Sequence, residues 1–514
     1  MLNEAILPGQ LPLKSHLGRI NRSTLSPSIV PVIDLFAGPG GLGEGFESGG
    51  RFHIGISVEC DPHAHKTLLL RSFFRQFEKN REPEAYYDYV KRKITREELF
   101  AKYPREAIAA TRIATLEKLG ETPPAMIDSM VESALGRSAR KSGNWVLIGG
   151  PPCQAYSLVG RSRRAREDRA EFEKDTRHFL YREYLRILAK HKPAVFIMEN
   201  VKGILSASLG GNRIFGRICN DLSEAGYTLN GLAGQHAKGG GLEGGAWNPS
   251  AFLIRAEDHG IPQRRHRVFI LGVRNDIVNS RWTPETFALP KSHAPTVHET
   301  IGKLPKLWSA LSSPDPERGA WLRARQTGLR AAGSDRTPTH KNPKDDRGNF
   351  FVEGNMSTVF APDWYGGERA GGALNHETRT HIAEDIARYA FAAEFAEQEG
   401  HSPSIHEFPD RLLPEHKNVR EPDGTVPFAD RFRVQLRDQP STTVTSHISK
   451  DGHYYIHYDP DQARSLTVRE AARLQTFPDN YFFEGPRTQQ YHQVGNAVPP
   501  LLANQIAQLI HRII

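Results

Sequence analysis

Short apolar runs that stop abruptly at a glycine or a charged side chain recur through the first half of the chain, with helical segments between them. "VPVID" ends at Asp34 and gives way to the glycine-rich "LFAGPGGLGEGF", with a helix predicted over 43–48. "FHIGISVEC" at 52–60 precedes the helical pattern "PHAHKTLLLRSFF". "WVLIGG" at 145–150 and "AVFIMEN" at 194–200 flank "RHFLYREYLRILAK", and "HRVFILGV" follows at 266–273. Runs of this length without polar alternation read as strands covered on both faces. Their alternation with helices specifies an α/β fold with a doubly wound, mostly parallel sheet, in which ligands lie beyond the carboxyl ends of the strands. The residues with chemistry to offer fall at those ends: the turn after Asp34, Glu59, Cys153 and Glu199.

At 514 residues the chain exceeds a single core and is expected to form at least two domains. Residues 1–30 are rich in Pro, Ser and Arg without apolar periodicity and read as a loose arm. A first domain is predicted over 31–305, with a charged, Ala-rich helical insertion at about 78–142. Beyond about 275 the character shifts to Pro, Gly, His and charge, a candidate second domain, and 431–514 are expected to complete the first, the amphipathic C-terminal helix packing back on it.

The 67 Lys and Arg against 59 Asp and Glu leave a formal charge of +8, which favours a polyanionic partner. Three widely spaced cysteines, Cys60, Cys153 and Cys219, exclude a disulfide framework and the paired spacing of a zinc site. No run of about 18 apolar residues suggests a membrane span, and the start lacks the basic-then-apolar pattern of a secretory signal. The expected compartment is a reducing one, the cytoplasm, with no metal and no membrane contact.

"DLFAGPGGLGEGF" is a strand, a glycine turn and a helix start, which lets a ligand approach the backbone closely. It departs from the strict G-x-G-x-x-G dinucleotide pattern, which counts against a nicotinamide oxidoreductase. Glu59, ending the next strand, stands where an acid accepts ribose hydroxyls. Cys153 follows "GGPP": a free Cys near a strand end is ordinarily a small buried hydrophobe, but two prolines and two glycines make a rigid loop that presents a side chain. A thiolate there is a nucleophile. Glu199 ends an apolar strand, where a carboxyl either caps a helix or, desolvated, keeps its proton toward neutral pH. "PQRRHRVFILG" sends Arg265 and Arg267 to one face, either as surface charge or as anchors for a phosphate or base carbonyl.

In order, "DLFAGPGGLGEGF", Glu59, "GGPPCQAYS", "MENV", "PQRRHRVFILG", "RSLTVREAARLQTFPD" and "QVGNAVPP" resemble the motifs of the cytosine-5 DNA methyltransferase family of bacterial restriction-modification type, from residue 34 to 500. The resemblance implies a Rossmann-like S-adenosylmethionine-dependent methyltransferase fold with a target-recognition domain over 306–430. It implies Cys153 as the nucleophile that adds to cytosine C6, Glu199 at the base N3, Arg267 at O2 and Arg265 supporting the pocket. The cofactor positions it implies are Phe36, Gly38, Gly40, Gly41, Glu59, Pro152, Leu180, Asn496 and Val498. Two departures stand out: Cys60 occupies a position where relatives place a large side chain, and the family's next strand, ending in an acid for the adenine amino group, is not recognisable in 78–142.

The implied substrate is a flipped-out cytosine in double-stranded DNA, the enzyme acting as a monomer, with room for a cognate restriction endonuclease acting separately. RNA as substrate and a non-catalytic DNA-binding descendant are the alternatives; the long variable region disfavours the first and the intact Cys153, Glu199, Arg265 and Arg267 the second. Trp308, Trp321, Trp364 and Tyr365, scattered among the cations of 306–430, read either as DNA-contacting or as structural aromatics.

Overall fold

The structure is a computed structural model that describes residues 29–152, 180–209, 212–238, 245–279, 282–312, 318–337, 347–354, 356–414 and 429–514. Its centre is a sheet with helices on both faces. In chain order its first elements are β1 (Val30–Leu35), α1 (Gly41–Ser48), β2 (Phe52–Glu59), α2 (Pro62–Phe74), α3 (Glu84–Val90), α4 (Arg96–Lys102), α5 (Pro104–Ile113), β3 (Ala114–Leu116) and α6 (Pro124–Ser142). Then come β4 (Val146–Gly149), α7 (Leu180–His191), β5 (Val195–Val201), α8 (Ile214–Glu224), β6 (Tyr227–Asn230), β7 (Leu253–Arg255) and β8 (His266–Arg274). The strand order is β3-β2-β1-β4-β5-β8-β6, with β7 also pairing with β8. The five strands from β3 to β5 run parallel, whereas β8 is antiparallel to β5, β6 and β7.

Both faces of β1 are buried, which is why its sequence shows no polar alternation. Ile33 and Leu35 pack with Ile127, Val131 and Leu135 of α6 and with Ile187 and Leu188 of α7. Val30 and Val32 pack on the other side with Phe46 of α1. Each fully buried Val, Leu or Ile here contributes about 1.5–3 kcal/mol.

The remaining elements used below are α9 (Val297–Ile301), α10 (Arg318–Ala331), β9 (Gly348–Glu353), β10 (Gly372–Glu377), α11 (Ala383–Glu399), α12 (Val468–Leu474), α13 (Arg487–Asn496) and α14 (Pro500–His511). As its amphipathic pattern predicts, α14 returns to the first domain: Leu502, Ile506 and Ile510 join the core of Val30 and Val32. Close approach is possible because Gly45 of α1 leaves its Cβ position to Ala503 and the Pro500 carbonyl. The Asn504 amide closes the contact, donating to the Gly45 carbonyl at 3.1 Å and to the Ser48 hydroxyl at 2.8 Å.

Two expectations need correction. The segment 78–142 is not set apart from the sheet: β3 pairs in parallel with β2, Ser57 opposite Ala114, and α6 covers one face. Only α3–α5 form an added layer, packing Leu99 and Ala110 against Phe73, Leu374 and Phe482. The second unit does not end at 430 either, because Phe432, Val434 and Ile456 share a core with Tyr389, Phe391 and Phe408. Of the two readings left open for the four aromatics, the structure shows contacts that hold the fold. Trp321 and Tyr365 are buried, Tyr365 donates to the Arg473 carbonyl at 2.7 Å, Trp364 donates to the Thr476 carbonyl at 2.8 Å, and Trp308 packs with Trp321.

Burial holds three histidines of this unit neutral: His376 and His457 are pushed down to about 4 and His381 to about 3. The unfolded chain takes up these protons near 6.5, so stability is intact above about pH 6.5 and falls as the pH drops toward 4, by about 1.4 kcal/mol per pH unit for each histidine. Urea unfolding at about pH 7.5 and about pH 5 should show a clearly lower midpoint in acid. The His376→Gln variant should show a smaller difference, and an unchanged one would exclude His376 as a source.

Candidate active site

Parallel strands deliver their carboxyl ends to one edge, and antiparallel β8 brings its first residues there. At this edge stand Phe36 and Gly38 after β1, Glu59 at the end of β2, Pro152 after β4, Glu199 in β5, and Arg265 and Arg267 at the start of β8. The opening residue of α7, Leu180, lies over the β3 end, its Cδ2 3.3 Å from where a Cβ on Gly120 would stand. Exposed Asn496 ends α13 and buried Val498 lies in the turn before α14, where its carbonyl fills the space a side chain at Gly41 would need. Cys153 lies outside the described residues, which stop at Pro152 and resume at Leu180.

The glycine turn is shaped by left-handed backbone at Phe36 (φ 57°), Gly38 (φ 57°) and Gly40 (φ 95°). Nothing lies within 4 Å of the place a Gly38 Cβ would occupy, so the turn faces open space there. Glu59 braces it from β2: its carboxylate accepts from the Gly38 N–H at 2.6 Å, the Cys60 N–H at 2.9 Å and the Asp61 N–H at 2.7 Å. Asp61 in turn caps α2 by accepting from the His63 and Ala64 N–H groups. Asp34 is fully buried, and burial, helped by nearby Glu59, pushes its carboxyl up to about 8 although the Ser57 hydroxyl beside it pulls it down.

On the other side of the edge, sheet register makes a buried ion pair. Arg267 opposes Val201 and Phe269 opposes Glu199, so Arg267 and Glu199 are diagonal neighbours on one face. Their side chains meet at 3.0 Å. Burial raises the Glu199 carboxyl above the ordinary range, although Arg267 and then Arg265 pull it down. Gly150 makes room for it: a Cβ there would stand 3.0 Å from Glu199 Oε2.

The two arginines do not act alike. Arg265 precedes the strand and is buried, donating to the Val444 carbonyl at 2.7 Å and the Gly495 carbonyl at 3.2 Å. It ties the site to the C-terminal segment, and Arg267 alone meets the carboxylate.

Sequence reasoning passed over several residues. Asn200, beside Glu199, donates through Nδ2 to the Pro151 carbonyl at 3.0 Å and so fixes the loop that leads to Cys153. Gln263 donates to the Leu474 carbonyl at 3.1 Å and to Gln475 at 2.7 Å, and accepts from the Val444 N–H at 2.8 Å. Gln475 donates onward to the Val494 and Ala497 carbonyls. The strand missing from 78–142 is β3, and Glu117 follows it, its N–H donating to the Glu59 carbonyl at 3.0 Å. The signal was there in "IATLE", but three paired residues carry no readable period.

A family model for C-5 cytosine-specific DNA methylase matches residues 144–512. The chain is 35% identical to the type II methyltransferase M.Bpa9945I of Bacillus paralicheniformis, covering 94% of this chain and 99% of that protein. It is 27% identical to the DNA (cytosine-5-)-methyltransferase M.ApeKI of Aeropyrum pernix, covering 94% and 98% respectively. Among solved structures, one described as a prophage-encoded DNA modification methyltransferase from E. coli has a TM-score of 0.53 at 21% identity, covering 94% of this chain and 99% of that one, a likeness of fold.

Removing the Asn200 amide should loosen the loop without unfolding the sheet. For Asn200→Ala, a stability loss of about 1 kcal/mol is expected, against a fall in turnover of about tenfold to a hundredfold, because small misplacements of a reacting group are costly. Thermal melting and single-turnover rates measure the two. Equal retention of rate and stability would remove Asn200 from the site.

Proposed function

The chain belongs to the C-5 cytosine-specific DNA methylase family, and from that premise we propose that it methylates C5 of a cytosine flipped out of a specific duplex DNA sequence, as the modification enzyme of a restriction-modification system. It is a DNA cytosine-5 methyltransferase, and S-adenosylmethionine, when bound, supplies the electrophilic methyl group. The observation that carries the reading is the Glu199–Arg267 pair, 3.0 Å apart beside Gly150 and the anchored Pro151.

C5 of cytosine is a weak nucleophile. The Cys153 thiolate adds to C6, and the ring becomes enamine-like at C5. Glu199 meets the base N3, where a carboxyl raised by burial holds a proton as charge builds on the ring. Arg267 faces O2 and keeps Glu199 oriented, while Arg265 holds the start of β8 to Val444 and Gly495. After methyl transfer to C5, a base removes the C5 proton and the Cys153 thiolate leaves. The target is extruded from the stack, as for base-modifying enzymes in general.

The residues around the glycine turn fit the cofactor. Glu59 suits the ribose hydroxyls and Glu117, whose N–H donates to the Glu59 carbonyl, the adenine amino group. Phe36, Gly38, Gly40, Gly41, Pro152, Leu180, Asn496 and Val498 complete the lining. The second unit, begun near residue 306, reads the DNA sequence, since groups there reach base edges from a surface separate from the sheet edge.

The reading is tested by bisulfite sequencing of DNA from cells expressing the protein. Converted cytosines at every site would refute it; protection at one sequence context is expected, and loss of that protection in Cys153→Ser, with S-adenosylmethionine binding retained. Glu199→Gln should slow the single-turnover rate by about a hundredfold or more while leaving cofactor affinity near wild type. An unchanged rate with weakened cofactor binding would move Glu199 to the other side of the site.

A further inference from the structure

Tyr481 lies in the segment after α12, far in sequence from the glycine turn, yet its hydroxyl donates to the Pro39 carbonyl within that turn. Its ring is fully buried and fixed from several sides, 4.8 Å from Phe477, 5.4 Å from Phe483 and 4.8 Å from the Arg71 guanidinium. Burial raises the hydroxyl above its ordinary value, so it remains a donor. The hydroxyl oxygen stands 3.0 Å from where a Gly40 Cβ would be, and Gly40 at φ 95° admits it.

Peptide planarity makes this contact reach further than one atom. Fixing the Pro39 carbonyl fixes the plane that carries the Gly40 N–H, which donates to the Ala37 carbonyl at 2.9 Å. The Gly40 carbonyl then accepts from the Glu44 N–H at 2.8 Å and opens α1. The free N–H groups at the start of α1 therefore point where the hydroxyl of Tyr481 sets them.

The other end of Tyr481 is tied to the second unit. Arg469, fully buried, donates to the Tyr481 carbonyl, to the Pro478 carbonyl at 3.1 Å and to the Leu374 carbonyl of β10 at 2.7 Å. One residue thus bridges the DNA-reading unit and the turn.

We propose that Tyr481 is a positioning residue for cofactor binding, its hydroxyl holding the Gly38–Gly41 turn in the conformation that receives S-adenosylmethionine. This rests on the reading of that turn as the cofactor site.

The test compares wild type, Tyr481→Phe and Glu59→Ala for equilibrium binding of S-adenosylmethionine, steady-state kinetics and thermal melting. The expected result for Tyr481→Phe is a Kd and KM for S-adenosylmethionine raised about two- to tenfold, with kcat at saturating cofactor within about twofold of wild type. Glu59→Ala should lose most cofactor affinity. If Glu59→Ala weakens binding and Tyr481→Phe does not, the proposal is overturned and the cofactor reading stands. Wild-type binding by Glu59→Ala would instead bring down the cofactor reading. A Tyr481→Phe protein that fails to fold, or that loses kcat and affinity in parallel with its melting temperature, also overturns the proposal, since the hydroxyl would then serve the fold alone.

Discussion

Three guanidinium groups with no exposed surface hold the two units together, and the demand that each be fully paired shapes everything around them. An unpaired charge at such depth is strongly destabilising. Arg464 meets both oxygens of Glu470, at 2.8 and 2.7 Å, and the Leu307 carbonyl at 3.1 Å. Arg473 meets Asp479 at 2.9 and 2.7 Å and reaches the Thr300 and Met356 carbonyls. Arg469 completes the set with the carbonyls of Leu374, Pro478 and Tyr481. Leu307, Met356 and Leu374 belong to the second unit, so it is pinned to α12 and to Arg464 just before it by hydrogen bonds from charged donors. Glu470 also closes the capping box of α12 with Thr467, which links helix formation to the same network.

Around that hub the catalytic edge balances opposing electrostatic demands. Glu199 needs burial to keep a proton and a cation to keep its place; β5–β8 register supplies both by setting Arg267 diagonally across from it. At the glycine turn the arrangement differs: Glu59 accepts from three backbone N–H groups, whereas Asp34, one strand away, is fully buried and held above its ordinary value.

Much of this could be read from the chain. The β-branched runs, their abrupt ends and the helices between them specify the parallel sheet, and the edge chemistry follows because strand ends converge in any doubly wound fold. Asp34, Glu59 and Glu199 end or nearly end their strands as the pattern requires, and α14 shows its apolar stripe plainly. The segment 78–142 misled because charge and alanine dominate it, while its contribution to the sheet is only Ala114–Leu116. The aromatics of 306–430 could be read two ways, and their carbonyl partners, such as Arg473 and Thr476, come from another part of the chain.

The sequence by itself determined the fold class and the strand ends at which Asp34, Glu59 and Glu199 stand, because strand length, apolar continuity and glycine content are local properties. Tertiary structure alone decided how those groups divide their work. Arg265 and Arg267 are equivalent by alternation, yet one is taken by the Val444 and Gly495 carbonyls and the other by Glu199. Asn200 matters because Pro151 lies beside it, and Tyr481 because Pro39 does. These roles depend on donors and acceptors tens to hundreds of residues apart, and no local pattern records which buried carbonyl will need a partner until the chain has closed on itself.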